Sequence, residues 1–201
     1  AVGGEVLAYY ELSKALGDDQ PFYGLQAQGL QAGETPLSDI KVMASHYIEA
    51  IKSVQATGPY RLAGHSLGGM IAYEMAQQLL ASGEEVARLS LFDTFLPDKT
   101  RYQLNDDVDY LQAIFVNPDG SELLPLPKAH LRSLDEPARL RFVFEKAQQV
   151  GVVPKGVGFE QTVRLFNVAR MNRVAVNAYE VELIGCAVEH FCATRGVFGF
   201  G

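Results

Sequence analysis

The chain of 201 residues has little cysteine, no excess of basic charge and no long apolar run. Its two cysteines, Cys186 and Cys192, lie near the end. On an extended strand they fall on one face, too far apart to bridge. They also lack metal-ligand spacing, so no metal is expected. This is the usage of a reducing, cytoplasmic protein. No apolar run approaches the roughly 18 residues of a membrane span, so no membrane partner is expected. The opening, Ala1-Val2-Gly3-Gly4, lacks the basic and long apolar regions of a signal peptide. It starts with alanine, in what reads as a loop. That suggests a piece of something longer, with a processed or tagged short protein as the alternative. There are 17 Lys and Arg against 24 Asp and Glu, a net charge of −7. This balance argues against a nucleic-acid partner. No repeat and no low-complexity tract is present.

What is there suits one α/β domain with an insertion. The chain is 48% hydrophobic and 20% charged, ordinary for a folded domain with a sizeable core. Residues 5–16 carry a helical pattern that stops at Gly17. Residues 21–26 read as a short strand, followed by a Gly- and Gln-rich loop to Pro36. Residues 38–55 form the clearest helix, with Ile40, Ala44, Tyr47, Ile51 and Val54 on one face. Gly58-Pro59 punctuates, and Tyr60-Arg61-Leu62-Ala63 reads as a strand. A helical pattern from Met70 to Leu80 follows, Ser82-Gly83 turns the chain, and an apolar run from Val86 to Phe92 ends at Asp93. Three strands alternating with helices predict a parallel sheet with helices on both faces. From Pro97 to about Asn167 the pattern is all helical. Asn105 could cap a helix through Phe115, Asp135-Glu136-Pro137 starts one running to Gly151, and another spans Phe159 to Tyr179. Residues 186–194 read as a strand.

Between strand and helix stands Gly64-His65-Ser66-Leu67-Gly68, the pattern Gly-x-Ser-x-Gly. A serine pinned in such a turn presents its hydroxyl at the end of a sheet, and the glycines allow strand and helix to pack closely. Leu67 begins the helix, so its backbone N–H is free for a developing oxyanion. A serine hydroxyl is a poor nucleophile until a base takes its proton, and a carboxylate must hold that base. Asp93 ends the next strand, where active groups of such sheets sit. A glycine-rich turn that happens to hold a serine, and an aspartate that only caps or turns the chain, are the plain alternatives.

Several stretches together resemble the thioesterase domains of nonribosomal peptide synthetases and polyketide synthases. They are Phe22-Tyr23-Gly24-Leu25-Gln26, Gly58 through Gly69, Ala72-Tyr73-Glu74-Met75-Ala76 and Leu89-Ser90-Leu91-Phe92-Asp93. The resemblance implies the α/β-hydrolase fold in one domain. Residues 1–96 and 168–201 would form its core and residues 97–167 a helical lid, with Asn177-Ala178-Tyr179 at the return. It implies that an acyl or peptidyl chain passes from the phosphopantetheine arm of a carrier protein to Ser66. Water or a nucleophile within the chain then releases it. Asp93 fits the triad acid, and Val2 the second oxyanion N–H beside that of Leu67. No cofactor is implied. The carrier domain would lie upstream in the same polypeptide.

The chain departs from the family at the histidine. Only His130 and His190 follow Asp93. His130 falls in the expected lid. His190 falls in a run where Val188, Phe191, Ala193 and Thr194 match a family strand, which makes it a strand residue. The base is therefore expected beyond Gly201, with His190 as the alternative. The family's final loop and helix, and the strand before Ala1, have no counterpart, so the chain resembles a domain cut at both ends. His65 reads as a bystander beside the serine, and His46 as a packing or surface residue. Competing readings are a stand-alone proofreading thioesterase, an ordinary esterase or lipase, and a non-catalytic hydrolase-fold module that only binds. The acyl substrate, and hydrolysis against cyclisation, have no motif.

Overall fold

The computed structural model describes residues 3–95, 106–115 and 121–193. Val2, Pro97, Asn105 and Thr194 lie outside the described residues. The chain divides into two compact units, Ala1–Pro97 with Leu165–Cys192, and Asp98–Arg164 with Ala193–Gly201.

The first unit is built on three parallel strands, β1 (Tyr60–His65), β2 (Val86–Phe92) and β3 (Val188–Phe191), in the order β1-β2-β3. In β1 the alternation puts Tyr60 and Leu62 inward and Arg61 outward. β2 is paired on both sides, and Leu89, Ser90 and Leu91 are buried in succession. An unbroken buried run is what a central parallel strand shows. The register sets Leu62 opposite Leu89 and Gly64 opposite Leu91.

Two helices supply most of the rest of this core, which Ala175 and Tyr179 also join. Asp39 caps α2 (Ile40–Val54) by accepting from the Val42 N–H at 3.0 Å. The helix buries Ile40, Met43, Ala44 and Tyr47. α3 (Leu67–Ala81) buries Leu67, Ile71, Ala72, Met75, Ala76 and Leu79. Leu79 is fully buried, so Leu79→Ala removes about 3 kcal/mol of stability. The first helix is shorter than its pattern: a 3-10 turn, Leu7–Tyr9, leads into α1 (Tyr10–Ala15).

The strand expected at residues 21–26 does not form. A strand needs a ladder partner, and among the described residues β1 pairs only with β2. The last strand is also shorter than the 186–194 expected.

The second unit holds α4 (Asp107–Ile114), α5 (Lys128–Ser133), α6 (Glu136–Gln149) and the first residues of α7 (Phe159–Ala178). Asp106 caps α4 by accepting from the Asp109 N–H at 2.8 Å, and Asp135 caps α6 with Pro137 in its first turn. The Arg132 guanidinium holds the Asp106 carboxyl at about 2, below the carboxylate range. The buried Gln112 amide donates to the Leu124 carbonyl and accepts from the Leu126 N–H. It thereby satisfies a loop that carries Leu124 and Leu126 into the unit's core beside Val108, Leu111 and Leu131. Sequence patterning missed α5, which is six residues long. Among the described residues no helix is long and apolar enough to cross a membrane.

Candidate active site

Ser66 sits between β1 and α3 at φ 55° and ψ −123°. A side chain in that region costs about 1–3 kcal/mol and persists only where the surroundings hold it. Here they do. The Ser66 N–H donates to the Phe92 carbonyl at 2.9 Å, which ties the turn to the end of β2. The Ser66 carbonyl accepts from the Gly69 N–H at 2.9 Å and from the Thr94 hydroxyl at 3.3 Å. A Cβ on Gly64 would collide with the Gly68 carbonyl, and one on Gly69 with the Thr94 side chain. Gly64 and Gly69 are thus steric requirements of the turn. Leu67 is the first residue of α3, so its N–H has no partner within the helix.

Asp93 ends β2 at φ 43°. Its N–H donates to the Phe191 carbonyl at 2.8 Å. Ser66 and Asp93 therefore stand at the carboxyl ends of adjacent parallel strands, each bound through its own amide to the next strand. They are the two non-glycine residues with positive φ among the described residues. His65 is half-buried; burial pushes its imidazole below the ordinary value, against the pull of the Asp93 carboxylate.

His190 is exposed within β3, in register with Leu91, and its ring lies 3.5 Å from the Cys192 thiol through Nε2. Among the described residues it makes no hydrogen bond to Ser66 or Asp93. His130 lies on α5 in the second unit, edge-on to Phe142 at 5.0 Å between ring centroids. His46 is exposed on α2 beside Tyr47.

A cavity of about 120 Å³ lies beside the first turn of α3. Its walls include Tyr9, Phe22, Leu67, Gly68, Ile71 and the buried Asn172. The Tyr9 hydroxyl accepts from the His65 N–H at 3.2 Å, which satisfies an outward-facing amide of β1. Sequence reasoning missed Tyr9, Thr94 and Asn172. None has a spacing signal, because each acts across the fold on a residue distant in the chain. Among the described residues no cluster of three His, Cys, Asp or Glu could hold a metal ion.

Parallel strands with a strained serine between strand and helix belong to the α/β-hydrolase fold. Residues 1–137 match the thioesterase domain family, and the chain belongs to that family. It is homologous to the thioesterase domains of nonribosomal peptide and polyketide synthases, hydrolases acting on thioesters. It is 46% identical over 82 residues to polyketide synthase PksR of Bacillus subtilis, covering 41% of this chain and 3% of that protein. It is 30% identical over 180 residues to the inactive atromentin synthetase invA4 of Paxillus involutus, covering 88% of this chain and 18% of that protein. The chain thus spans a small part of these relatives. Among solved structures, a holo four-domain nonribosomal peptide synthetase bound to AMP and glycine superposes with a TM-score of 0.84 at 28% identity. That match covers 100% of this chain and 15% of the other. The NocB thioesterase domain, in covalent complex with a fluorophosphonate nocardicin G analogue, gives 0.65 at 21% identity, covering 94% of this chain and 67% of the other. At that identity the likeness concerns the fold.

Proposed function

We propose that this domain releases an acyl or peptidyl chain from the phosphopantetheine arm of a carrier protein through an acyl-serine intermediate. The observation that carries the reading is the strained Ser66 turn, with Leu67 opening a helix directly behind it. A base removes the Ser66 hydroxyl proton as the oxygen attacks the thioester carbonyl. The N–H groups of Leu67 and Val2 bind the oxyanion. The C–S bond then breaks, and the base returns the proton to the departing thiol. Water, or a nucleophile of the chain itself, releases the acyl group by the reverse proton path. Asp93 holds the base in its tautomer.

The base is a histidine outside these 201 residues. His190 stands on the face of β3 with its ring beside Cys192, and His130 packs edge-on against Phe142. The carrier is a domain preceding this one in the same polypeptide, in keeping with relatives many times longer than the chain. Residues 97–167 act as a lid over the bound chain. The test is incubation of the full-length protein with a fluorophosphonate, read by mass spectrometry. A single label on Ser66, lost in Ser66→Ala, supports the reading. A label that survives the substitution overturns it. A non-catalytic module that only binds acyl chains is the second reading, favoured by the place of His190 within β3, in register with Leu91 and with its ring beside Cys192. Absence of both labelling and thioester turnover would establish it.

A further inference from the structure

α3 carries a buried glutamate that the proposed chemistry does not use. Glu74 is 5% exposed and lies two turns beyond Leu67, on the same face of the helix. Its Oε2 accepts from the Tyr179 hydroxyl at 2.8 Å, and its Oε1 accepts from the Gln78 side-chain amide at 2.9 Å. Tyr179 is 5% exposed and follows directly on the end of α7. Burial, then the bond to Glu74, raises its hydroxyl far above the ordinary value, so it donates at any physiological pH.

Tyr179 ends a stripe on α7. Val168, Asn172, Ala175 and Tyr179 recur at spacings of four, three and four, and all are buried. Each meets a different part of the first unit. Val168 stands 3.2 Å from where a Cβ on Gly4 would be, so it braces the Gly3-Gly4 loop. Asn172 walls the cavity that Leu67 and Gly68 also line. Ala175 and Tyr179 join the core cluster with Leu67, Ile71 and Met75 of α3. The end of α7 thus meets α3 through apolar packing of Ala175 and through one directional bond, Tyr179 to Glu74. Apolar packing resists sliding along a helix only weakly, because neighbouring rotamers fill similar space. A buried charge-assisted hydrogen bond has one geometry.

We propose that Glu74 and Tyr179 are positioning residues: their bond ties the end of α7 to α3, so that Asn172 and Val168, further up α7, hold the cavity wall and the Gly4 loop beside the Ser66 turn. The kinetic consequence rests on the thioesterase reading of that turn.

The experiment uses the full-length protein, with fluorophosphonate labelling to count active serines. Turnover is measured on an acyl N-acetylcysteamine thioester. Tyr179→Phe is expected to lower kcat per labelled serine by about tenfold with KM little changed. It is also expected to speed hydrogen exchange at the Ala27 amide, which donates to the Gly4 carbonyl at 2.9 Å. The double variant Glu74→Met with Tyr179→Phe replaces both partners by apolar groups of similar shape. Such a swap can be nearly neutral for stability, so it also carries the test if Tyr179→Phe alone does not fold. A positioning bond predicts that the double variant regains thermal stability while turnover stays about tenfold down. If turnover per labelled serine returns with stability, or never falls, the bond is only part of the core and the inference fails. If the wild-type protein is not labelled at Ser66, the thioesterase reading fails, and Ala27 exchange alone decides the clamp. Faster exchange in both variants upholds it, and wild-type exchange in either overturns it.

Discussion

The turn at Ser66 and the turn at Asp93 end neighbouring strands, and both hold a non-glycine residue at positive φ. They are held there in different ways. Ser66, besides its amide bond to Phe92, is confined sterically: a Cβ on Gly64 would meet the Gly68 backbone and one on Gly69 the Thr94 side chain. Asp93 has no flanking glycine and needs none. Its φ of 43° is a left-handed conformation that aspartate tolerates, and its amide is bound to the Phe191 carbonyl. One turn is therefore written in the sequence as a pattern of small residues. The other is written only as a single aspartate after a strand. The proposed roles match this difference, since an attacking atom needs placing more closely than a group that orients the base.

The largest effect should come from Ser66. Ser66→Ala keeps the turn but removes the attacking oxygen, and turnover of an acyl thioester should fall by about 10⁶-fold. Steady-state kinetics on purified protein would show it. A residual rate near wild type would reduce the strained turn to a structural feature. Asp93→Asn preserves the left-handed backbone and the amide bond to Phe191, so the fold should survive. Turnover should drop by about 10⁴-fold, because the base loses its tautomer. Circular dichroism and kinetics together separate the two effects. Wild-type turnover in Asp93→Asn would move the acid elsewhere and leave the Asp93 turn without a role in the chemistry.

The comparison also predicts two grades of damage at the glycines. At Gly64 a methyl group meets the Gly68 backbone, which cannot move without breaking the start of α3. Gly64→Ala should destabilise by about 3 kcal/mol, the upper end for overpacking. At Gly69 the obstacle is the Thr94 side chain, whose hydroxyl can rotate away although its Cβ cannot. Gly69→Ala should cost about 1–2 kcal/mol. Urea denaturation measures both, and equal losses would mean that the turn is less confined than its contacts imply.

These turns also mark how far the sequence could be read. Helix α2 was legible because its apolar residues repeat at helical spacing, whereas its Asp39 cap was not read. The β1–Ser66–α3 crossing was legible because its steric demands select glycines at fixed offsets. The parallel order followed from alternation of strands and helices. The stretch at residues 21–26 was misread as a strand, because a strand depends on a partner that local pattern does not reveal. α5 was missed because six residues are too few for periodicity to show. At the site, Ser66 and Leu67 stood out through the motif and Asp93 through chain order. Thr94, Tyr9, Asn172 and the Glu74–Tyr179 pair did not, since each depends on contacts made across the fold.

Thr94 provides the finest test, because it touches both turns. It follows Asp93 directly, and its hydroxyl reaches the Phe92 carbonyl at 3.2 Å and the Ser66 carbonyl at 3.3 Å. The Phe92 carbonyl is also the acceptor of the Ser66 N–H. One side chain thus links the end of β2 to the backbone of the serine turn. Thr94→Val keeps the shape and removes the hydroxyl. Both carbonyls retain other donors: the Gly69 N–H serves Ser66, and the Ser66 N–H serves Phe92. Neither is orphaned, so the loss should stay near 1 kcal/mol, the net worth of one hydrogen bond. A thermal melt measures it. Confinement of Ser66 by Gly64 and by its own amide bond to Phe92 predicts that turnover falls no more than a few-fold, because both remain to hold φ at 55°. If Thr94→Val instead costs turnover as heavily as Asp93→Asn, the Ser66 turn depends on the Thr94 hydroxyl after all. The division between a sterically locked turn and a hydrogen-bonded one would then be withdrawn.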